Sequence, residues 1–307
     1  MITKTSTKGM TRAEWLEIRR KTIGGSDAGA LCGLNPYSSP YSVYANKKML
    51  IPDKPDNEAM RQGRDLEQYV AERFMQETGK KVRRENSIIY NSEYPFAHAD
   101  VDRLIVGERA GLECKTAATR NDALYSSGGY PDYYYAQCQH YMMITGLDLW
   151  YLAVLVFQRG LYIFEIRRND EEIKTLAEIE RDFYDKSIAG DQEPQTDGRQ
   201  STTDALNDQF TQSTDDTADL TLFSTEIEQY FALKERRDEI DELMNEKINA
   251  VKAFMQDSER GTCGDHRIIW KTQARRTFDK ARFTADHPEI SLAEYMNEST
   301  SRPFKIS

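Results

Sequence analysis

The stretch from Ala99 to Thr116, ADVDRLIVGERAGLECKT, holds the residue types in this chain best able to do chemistry. It reads as a carboxylate-bearing strand, a short turn at Gly107–Arg109, and a second strand carrying Glu113, Cys114 and Lys115. Side chains of a strand alternate between faces, so Glu113 and Lys115 project together while Leu112 and Cys114 face the other way. If Asp102 lies opposite Glu113 across the turn, two carboxylates and the Cys114 main-chain carbonyl converge on a hard oxygen site suited to Mg²⁺ or Mn²⁺. Such an ion activates water and stabilises charge on a phosphate, with Lys115 orienting the nucleophile or neutralising the transition state. The same triplet is also compatible with a solvated charge ladder on an exposed strand. Glu67 adds context, because it shares the apolar face of a helix with Met60, Gly63, Val70, Ala71 and Phe74, where a bare carboxylate is costly. Either a metal or its water, or a buried ion pair with Arg64 or Lys115, accounts for it.

These groups need a scaffold. Thr11 to Lys21 predicts a short helix, and a Gly-Gly-Ser turn leads to a second helical start at Asp27 with Ser26 as N-cap. Residues 56–78 form the clearest amphipathic helix, followed by strands over 86–90, 96–106 and 110–117. Tyr133 to Thr145 predicts a helix opened by Pro131 and closed by Gly146. Leu149–Phe157 and Leu161–Ile166 then pair as a hairpin, and residues 170–189 return to helix. This alternation indicates one mixed α/β domain over residues 1–190. Residues 191–219, poor in large apolar side chains, read as a polar linker. Residues 220–307 read as a C-terminal long helix, over Leu220 to Met255, with a small accessory unit.

Composition narrows the possible classes. The 307 residues include 17 Tyr and 12 Phe, enough apolar surface for a core, which excludes global disorder. The longest apolar run, Leu149 to Phe157, falls far short of the roughly 20 residues a bilayer requires, so no membrane span and a cytoplasmic location are expected. Four scattered cysteines, Cys32, Cys114, Cys138 and Cys263, indicate neither a disulfide scaffold nor a structural zinc site. The net charge is −10, but unevenly spread: residues 1–90 carry 16 Lys and Arg against 11 Asp and Glu, whereas residues 170–260 carry 10 against 25. A basic N-terminal region suits a polyanion, and the acidic region suits solubility or a different partner.

Four ordered segments resemble the PD-(D/E)XK nuclease superfamily, and within it the phage-type alkaline exonucleases of the YqaJ/lambda exonuclease family. They are WLEIRRKTIGGSDAGALCG (15–33), GRDLEQYVAERF (63–74), HADVDRLIVGERAGLECKT (98–116) and YYYAQCQHYMMITG (133–146). The resemblance spans roughly residues 12–190. It implies a restriction-endonuclease-like core, with a central mixed β-sheet flanked by helices and a C-terminal helical extension. It also implies that Asp102 and Glu113 bind the catalytic Mg²⁺, with Mn²⁺ as a substitute, and that Lys115 is the catalytic lysine. Glu67 would support the site through a second ion or its waters, and Gln139 would sit beside Lys115 to position the scissile phosphate or water. Arg19 and Ser26 match the family's pocket for a DNA 5′-phosphate. An Arg fork and a hydroxyl at a helix start also suit a terminal phosphate on physical grounds. One departure stands out: Arg103 follows Asp102 where many relatives have glycine, which makes Asp100 a competing ligand. His98 and His140 are expected to be structural or close to DNA, and the run Tyr130 to Tyr135 to be packing or a base-stacking surface.

The activity so implied is 5′-to-3′ digestion of linear double-stranded DNA, leaving 3′ overhangs for single-strand annealing. Implied with it are a homotrimeric ring, an annealing-protein partner, and the host cytoplasm as location for a phage or prophage product. Two rivals are an endonuclease or repair nuclease on the same core, which would not need the Arg19/Ser26 pocket, and a non-catalytic DNA-end scaffold working through the C-terminal helix.

Overall fold

A computed structural model of the chain describes residues 1–53, 56–297 and 301–306. It divides into two units, Met1–Thr211 and Gln212–Ser307. The first runs β1 (Ile2–Ser6), α1 (Arg12–Arg20), β2 (Ile23–Gly24), α2 (Gly25–Leu31), α3 (Pro40–Lys47), α4 (Glu58–Thr78), β3 (Val82–Arg84), β4 (Ser87–Asn91), β5 (Ala97–Asp100), β6 (Arg103–Ile105) and β7 (Ala110–Ala117). It continues with α5 (Asp122–Ser126), α6 (Asp132–Thr145), β8 (Leu149–Val156), β9 (Gly160–Arg167), α7 (Asp170–Phe183), a π-helical turn over Tyr184–Ala189, and α8 (Gln200–Gln209).

Two sheets result. The five-stranded sheet has the order β3-β6-β7-β8-β9, with β7 and β8 parallel and the other pairs antiparallel; the four-stranded sheet has the order β1-β4-β5-β2. Period-two alternation sorts the larger sheet's side chains into two cores. Leu112, Tyr151 and Ala153 pack with Val70, Ala71 and Phe74 of α4. Trp150, Leu152 and Val154 on the opposite face join Cys138, Tyr141 and Met142 of α6. Fully buried Trp150 lies so close over Gly111 that an added Cβ would come within 2.4 Å of its ring. Glu113 and Lys115 pair with Leu152 and Val154 and therefore face α6.

Three elements differ from expectation. The single strand over 96–106 is two, β5 and β6, which belong to different sheets and separate at Val101–Asp102. The second helix begins at Gly25, not Asp27: Gly24 is its cap, and the Asp27 carboxylate accepts the Gly24 amide at 2.9 Å. The stretch read as linker contains α8, which closes over α3. Ala205 joins buried Tyr41 and Ala45, and Thr202 donates to Ser39 Oγ at 2.7 Å. Its burial rests on hydroxyl pairing and small residues, which composition reads as polarity. The first unit thus extends past residue 190 to Thr211.

The second unit comprises α9 (Ser224–Met255), the hairpin β10 (Arg260–Cys263) and β11 (His266–Ile269), and α10 (Lys280–Asp286). Ile248, Val251 and Met255 of α9 line a cleft with Ile268, Ile269 and Trp270. Among the described residues, no helix is long and apolar enough to cross a membrane.

The contact between α2 and α6 sets the site's geometry. A Cβ on Gly29 would lie 2.5 Å from Tyr133 Cβ and 2.9 Å from its Cα, so only glycine lets these helices approach. Gly29→Ala is expected to cost about 1–3 kcal/mol, read as a lower urea midpoint at unchanged slope.

Candidate active site

The register of β6 on β7 pairs Arg103 with Leu112, so Asp102, one residue before β6, stands level with Glu113. Asp102 Oδ2 accepts the Cys114 amide at 2.8 Å. In an extended strand the N–H and C=O of one residue point to the same side, so the Cys114 carbonyl also faces Asp102. Glu113, 3% exposed, takes Lys115 Nζ at 2.6 Å and Gln137 Nε2 at 2.7 Å, both on Oε1. Its other oxygen, Oε2, is buried with no hydrogen-bond partner. Lys115 Nζ also lies 5.1 Å from the Tyr134 ring centroid, a cation–π contact that fixes the ammonium from the α6 side.

The electrostatics follow from burial and crowding of like charge. Burial raises the Asp102 pKa well above the ordinary carboxylate value, and Glu113 and Glu67 add to the effect. Burial likewise raises Glu113, although the Lys115 ammonium opposes it. Burial alone would depress Lys115, but Glu113 and Asp102 overcome it and the pKa rises, so this residue is an ammonium at neutral pH. As an ammonium it can donate a hydrogen bond and neutralise charge.

A hard divalent cation fits these donors. The unpartnered Glu113 Oε2, the Asp102 carboxylate and the Cys114 carbonyl could serve as oxygen ligands, and a dication there would favour the charged form of both acids, which burial disfavours. Among the described residues no three His, Cys, Asp or Glu side chains close into a ready-made cage. A set whose third donor is a main-chain carbonyl has only two such side chains to offer.

The remaining expected residues divide. Arg19 Nη2 donates to Ser26 Oγ at 2.9 Å, and its guanidinium lies 4.3 Å from the Trp15 ring centroid. Trp15 Nε1 in turn donates to Asp100 Oδ2 at 2.8 Å. Asp100 is therefore committed to the α1 side while Asp102 faces Glu113, which favours Asp102 as the ligand. Glu67 is held by the guanidinium of Arg103, and its charge adds to the raised pKa of both Asp102 and Glu113. Gln139 is a correction. Its amide donates to the Arg167 carbonyl at 2.8 Å and its oxygen accepts the Asn169 amide at 3.1 Å, fixing the turn into α7. Two residues along a helix point in nearly opposite directions, so Gln137 occupies the place expected for Gln139, between Glu113 and the Tyr141 hydroxyl.

The two interior histidines differ: both ring nitrogens of His140 are bonded, whereas His98 Nε2 is buried with no hydrogen-bond partner. His140 bonds Glu180 at 2.7 Å and the His98 carbonyl at 2.8 Å; His98 bonds the Thr22 hydroxyl at 2.8 Å. The tyrosine run is mixed. Tyr130 packs on Phe164 and Tyr135 bonds Glu172, whereas Tyr133 and Tyr134 are in edge contact at 4.5 Å beside Lys115.

Comparison with known proteins places this arrangement. The family model described as the YqaJ-like viral recombinase domain matches residues 14–148, which include most of α1 and all of α4, β7 and α6. The chain is 35% identical over 286 residues to the uncharacterized protein YqaJ of Bacillus subtilis strain 168, covering 92% of this chain and 90% of that one. It belongs to the YqaJ family. The crystal structure of an alkaline exonuclease from Laribacter hongkongensis is similar in fold, with a TM-score of 0.50 at 19% identity over 58% of this chain and 93% of that one. This chain thus has the restriction-endonuclease-like fold, and Asp102, Glu113 and Lys115 all lie within the matched family domain.

The raised acids make a thermodynamic prediction. An acid whose pKa is higher folded than unfolded costs nothing at low pH, where both states are protonated; the cost grows as pH climbs from the unfolded value, about 3.9 for Asp, and is complete above the folded one. Asp102→Asn is expected to raise the thermal midpoint at pH 7.5. The gain should shrink as pH falls toward about 4, followed by circular dichroism melting across that range.

Proposed function

We propose that this YqaJ-family protein is a divalent-metal-dependent deoxyribonuclease that digests the 5′-phosphorylated strand of linear duplex DNA and leaves 3′ single-stranded overhangs. The observation that carries the reading is the orphaned Glu113 Oε2, on a carboxylate that stands level with Asp102 and holds Lys115 on its other oxygen. Asp102, Glu113 and the Cys114 carbonyl would hold Mg²⁺ or Mn²⁺. Bound there, the ion supplies an activated water and charge stabilisation at the scissile phosphate.

The chain's own residues do the rest. Gln137 tethers Glu113 Oε1, so that carboxylate keeps one orientation while Oε2 stays free. Lys115, kept protonated by its carboxylate neighbours, donates to the oxygen that gains negative charge as the phosphodiester breaks. Arg19 lies over the Trp15 ring and is hydrogen-bonded to Ser26, which leaves its remaining N–H groups as a fork for a terminal phosphate. Asp100 fixes Trp15 through the indole N–H and so positions that fork indirectly. The Laribacter hongkongensis protein of similar fold is an alkaline exonuclease, which agrees with end-directed cutting. A homotrimeric ring around DNA and a single-strand annealing protein as partner belong to the same reading, with a recombination role in keeping with the family's description as viral recombinases.

The test is a linear duplex labelled separately on each strand, with 5′-phosphate or 5′-hydroxyl ends, in Mg²⁺ or EDTA, beside a covalently closed circle. Loss of the 5′-phosphorylated strand in Mg²⁺ alone, with the circle intact, is the expected result. Nicking of the circle would replace exonuclease with endonuclease, and no cleavage with Mg²⁺ or Mn²⁺ would sink the enzymatic reading. Lys115→Ala should lower the rate by about 10²-fold or more, in the range for loss of a transition-state donor. Arg19→Ala should instead remove the preference for 5′-phosphate ends by about 10-fold, in line with loss of a charge-assisted hydrogen bond, and leave residual cutting of 5′-hydroxyl ends unchanged.

A further inference from the structure

The His98 side chain is fully buried, yet its two ring nitrogens are treated unequally. Nδ1 lies 2.8 Å from the Thr22 hydroxyl, whereas Nε2 has no hydrogen-bond partner. A buried ring nitrogen left unpaired costs free energy, so a group from outside the folded chain has something to gain by meeting it.

Strand register shows what that nitrogen faces. His98 and Asp100 alternate onto one face of β5, and Asp100 bonds the Trp15 indole over which Arg19 lies. Beside His98 on β2 stands Gly24, which has no side chain to cover the ring edge. A Cβ built on Gly24 would lie 3.1 Å from His98 Nε2, 3.2 Å from its Cε1 and 3.6 Å from Arg19 Nη2. Gly24 has φ −104° and ψ 163°, extended backbone open to any residue, so the path of the chain does not require glycine there. What glycine leaves is a notch shared by the imidazole edge and the guanidinium. Arg19 Nη2 also donates to Ser26 Oγ at 2.9 Å, which ties the notch to the Arg–Ser pair.

The ring suits an anion there. When the Thr22 hydroxyl donates to Nδ1, the ring proton sits on Nε2 and points a donor into the notch. Burial, reinforced by Arg19, Lys47 and His140 against the pull of Asp27, holds the His98 pKa well below the usual histidine value. The imidazole is therefore neutral at neutral pH, and it adds an N–H without adding a further buried cation beside Arg19 and Lys47.

We propose that His98 Nε2–H is a further donor of the terminal-phosphate pocket and takes the oxygen that a 5′-phosphomonoester has and an internal phosphodiester lacks. This inference rests on the end-phosphate reading of Arg19 and Ser26. A terminal phosphate carries three non-bridging oxygens and an internal one carries two, so a donor set back behind the Arg19 fork selects chain ends. The side chain that shares the notch is the half-buried Arg19. Drawing its guanidinium forward onto the phosphate opens the way to Nε2 with no backbone movement.

Binding is read by fluorescence anisotropy in Mg²⁺, using a duplex with nuclease-resistant phosphorothioate linkages and either a 5′-phosphate or a 5′-hydroxyl end. The wild type is expected to prefer the phosphate end. His98→Asn keeps an amide near Thr22 but places nothing at the Nε2 position, and should lose about 10-fold of that preference, as for a charge-assisted hydrogen bond. His98→Gln can place an amide N–H there and should stay within about 3-fold of the wild type. Gly24→Ala, whose methyl would cap Nε2, should lose as much as His98→Asn. Gln losing as much as Asn, or the reverse order of the two, would make His98 only a support for Thr22 and overturn the inference. A preference unmoved in all three variants would overturn it and leave the end-phosphate reading standing, whereas a wild type that binds both ends alike would overturn both. Should the variants fail to fold, a crystal structure of the wild type with the 5′-phosphorylated duplex decides: a terminal phosphate oxygen within about 3.2 Å of Nε2 is expected, and none within that reach overturns the inference.

Discussion

Glu113 brings a carboxylate into a position that is 3% exposed, on the sheet face that also carries the main apolar core. An ionised group placed there must find partners or lose its charge. The surrounding structure supplies them on one oxygen only. Lys115 comes from the same strand face two residues on, and Gln137 from α6 above it, itself fixed by the Tyr141 hydroxyl. Tyr141 packs on Trp150, and Trp150 sits on the bare backbone of Gly111. The packing of α6 on the sheet and the state of one carboxylate are therefore parts of the same constraint: the helix can settle only where Gln137 meets Glu113.

The separation of β5 from β6 complements this. A continuous strand would use the Cys114 amide and carbonyl in the ladder with its neighbour. Because the chain leaves one sheet at Asp100 and joins the other at Arg103, the Asp102 side chain takes the amide, and the carbonyl faces the same opening. The same step carries Asp100 toward Trp15 and Arg19, so two carboxylates two residues apart serve two different places. An irregular backbone segment at the junction of two sheets is where such a division of labour can arise, since regular pairing would hold both on one face of one strand.

What could be read without coordinates follows the same physics. Glu113 and Lys115 were legible because period two is a strong rule within a strand, and Asp102 because a short turn limits the register. The Arg19–Ser26 pairing was legible from the four-segment resemblance and from the chemistry of a fork beside a hydroxyl. Gln137 was not. Helix α6 buries every residue from Ala136 to Ile144, so it has no polar face to show which glutamine looks inward. The partner of Glu67 was missed for a related reason: Arg103 is distant in sequence, and its meeting with α4 depends on how β6 joins the sheet. The break within 96–106 was hidden because Ala97, Ala99, Val101 and Ile105 continue an alternating apolar pattern across it. Helix α8 was hidden by its Ser, Thr and Asp content; Arg199 and Thr202 anchor it to Gly33 and Ser39 through hydrogen bonds, not through bulk.

Helix α8 also marks where this chain is modular. Residues 200–209 complete the first unit by covering Tyr41 and Ala45 of α3, whose Lys47 holds Asp27 and the carbonyls of Arg19 and Thr22. A graft or exchange made before α8 would uncover Tyr41 and Ala45 of the helix whose Lys47 ties down the backbone around Arg19. The seam for shuffling lies after Thr211. Downstream of it, α9 and the hairpin β10–β11 form a unit of their own, so a cut after Thr211 leaves the covalent route from α1 to α8 whole.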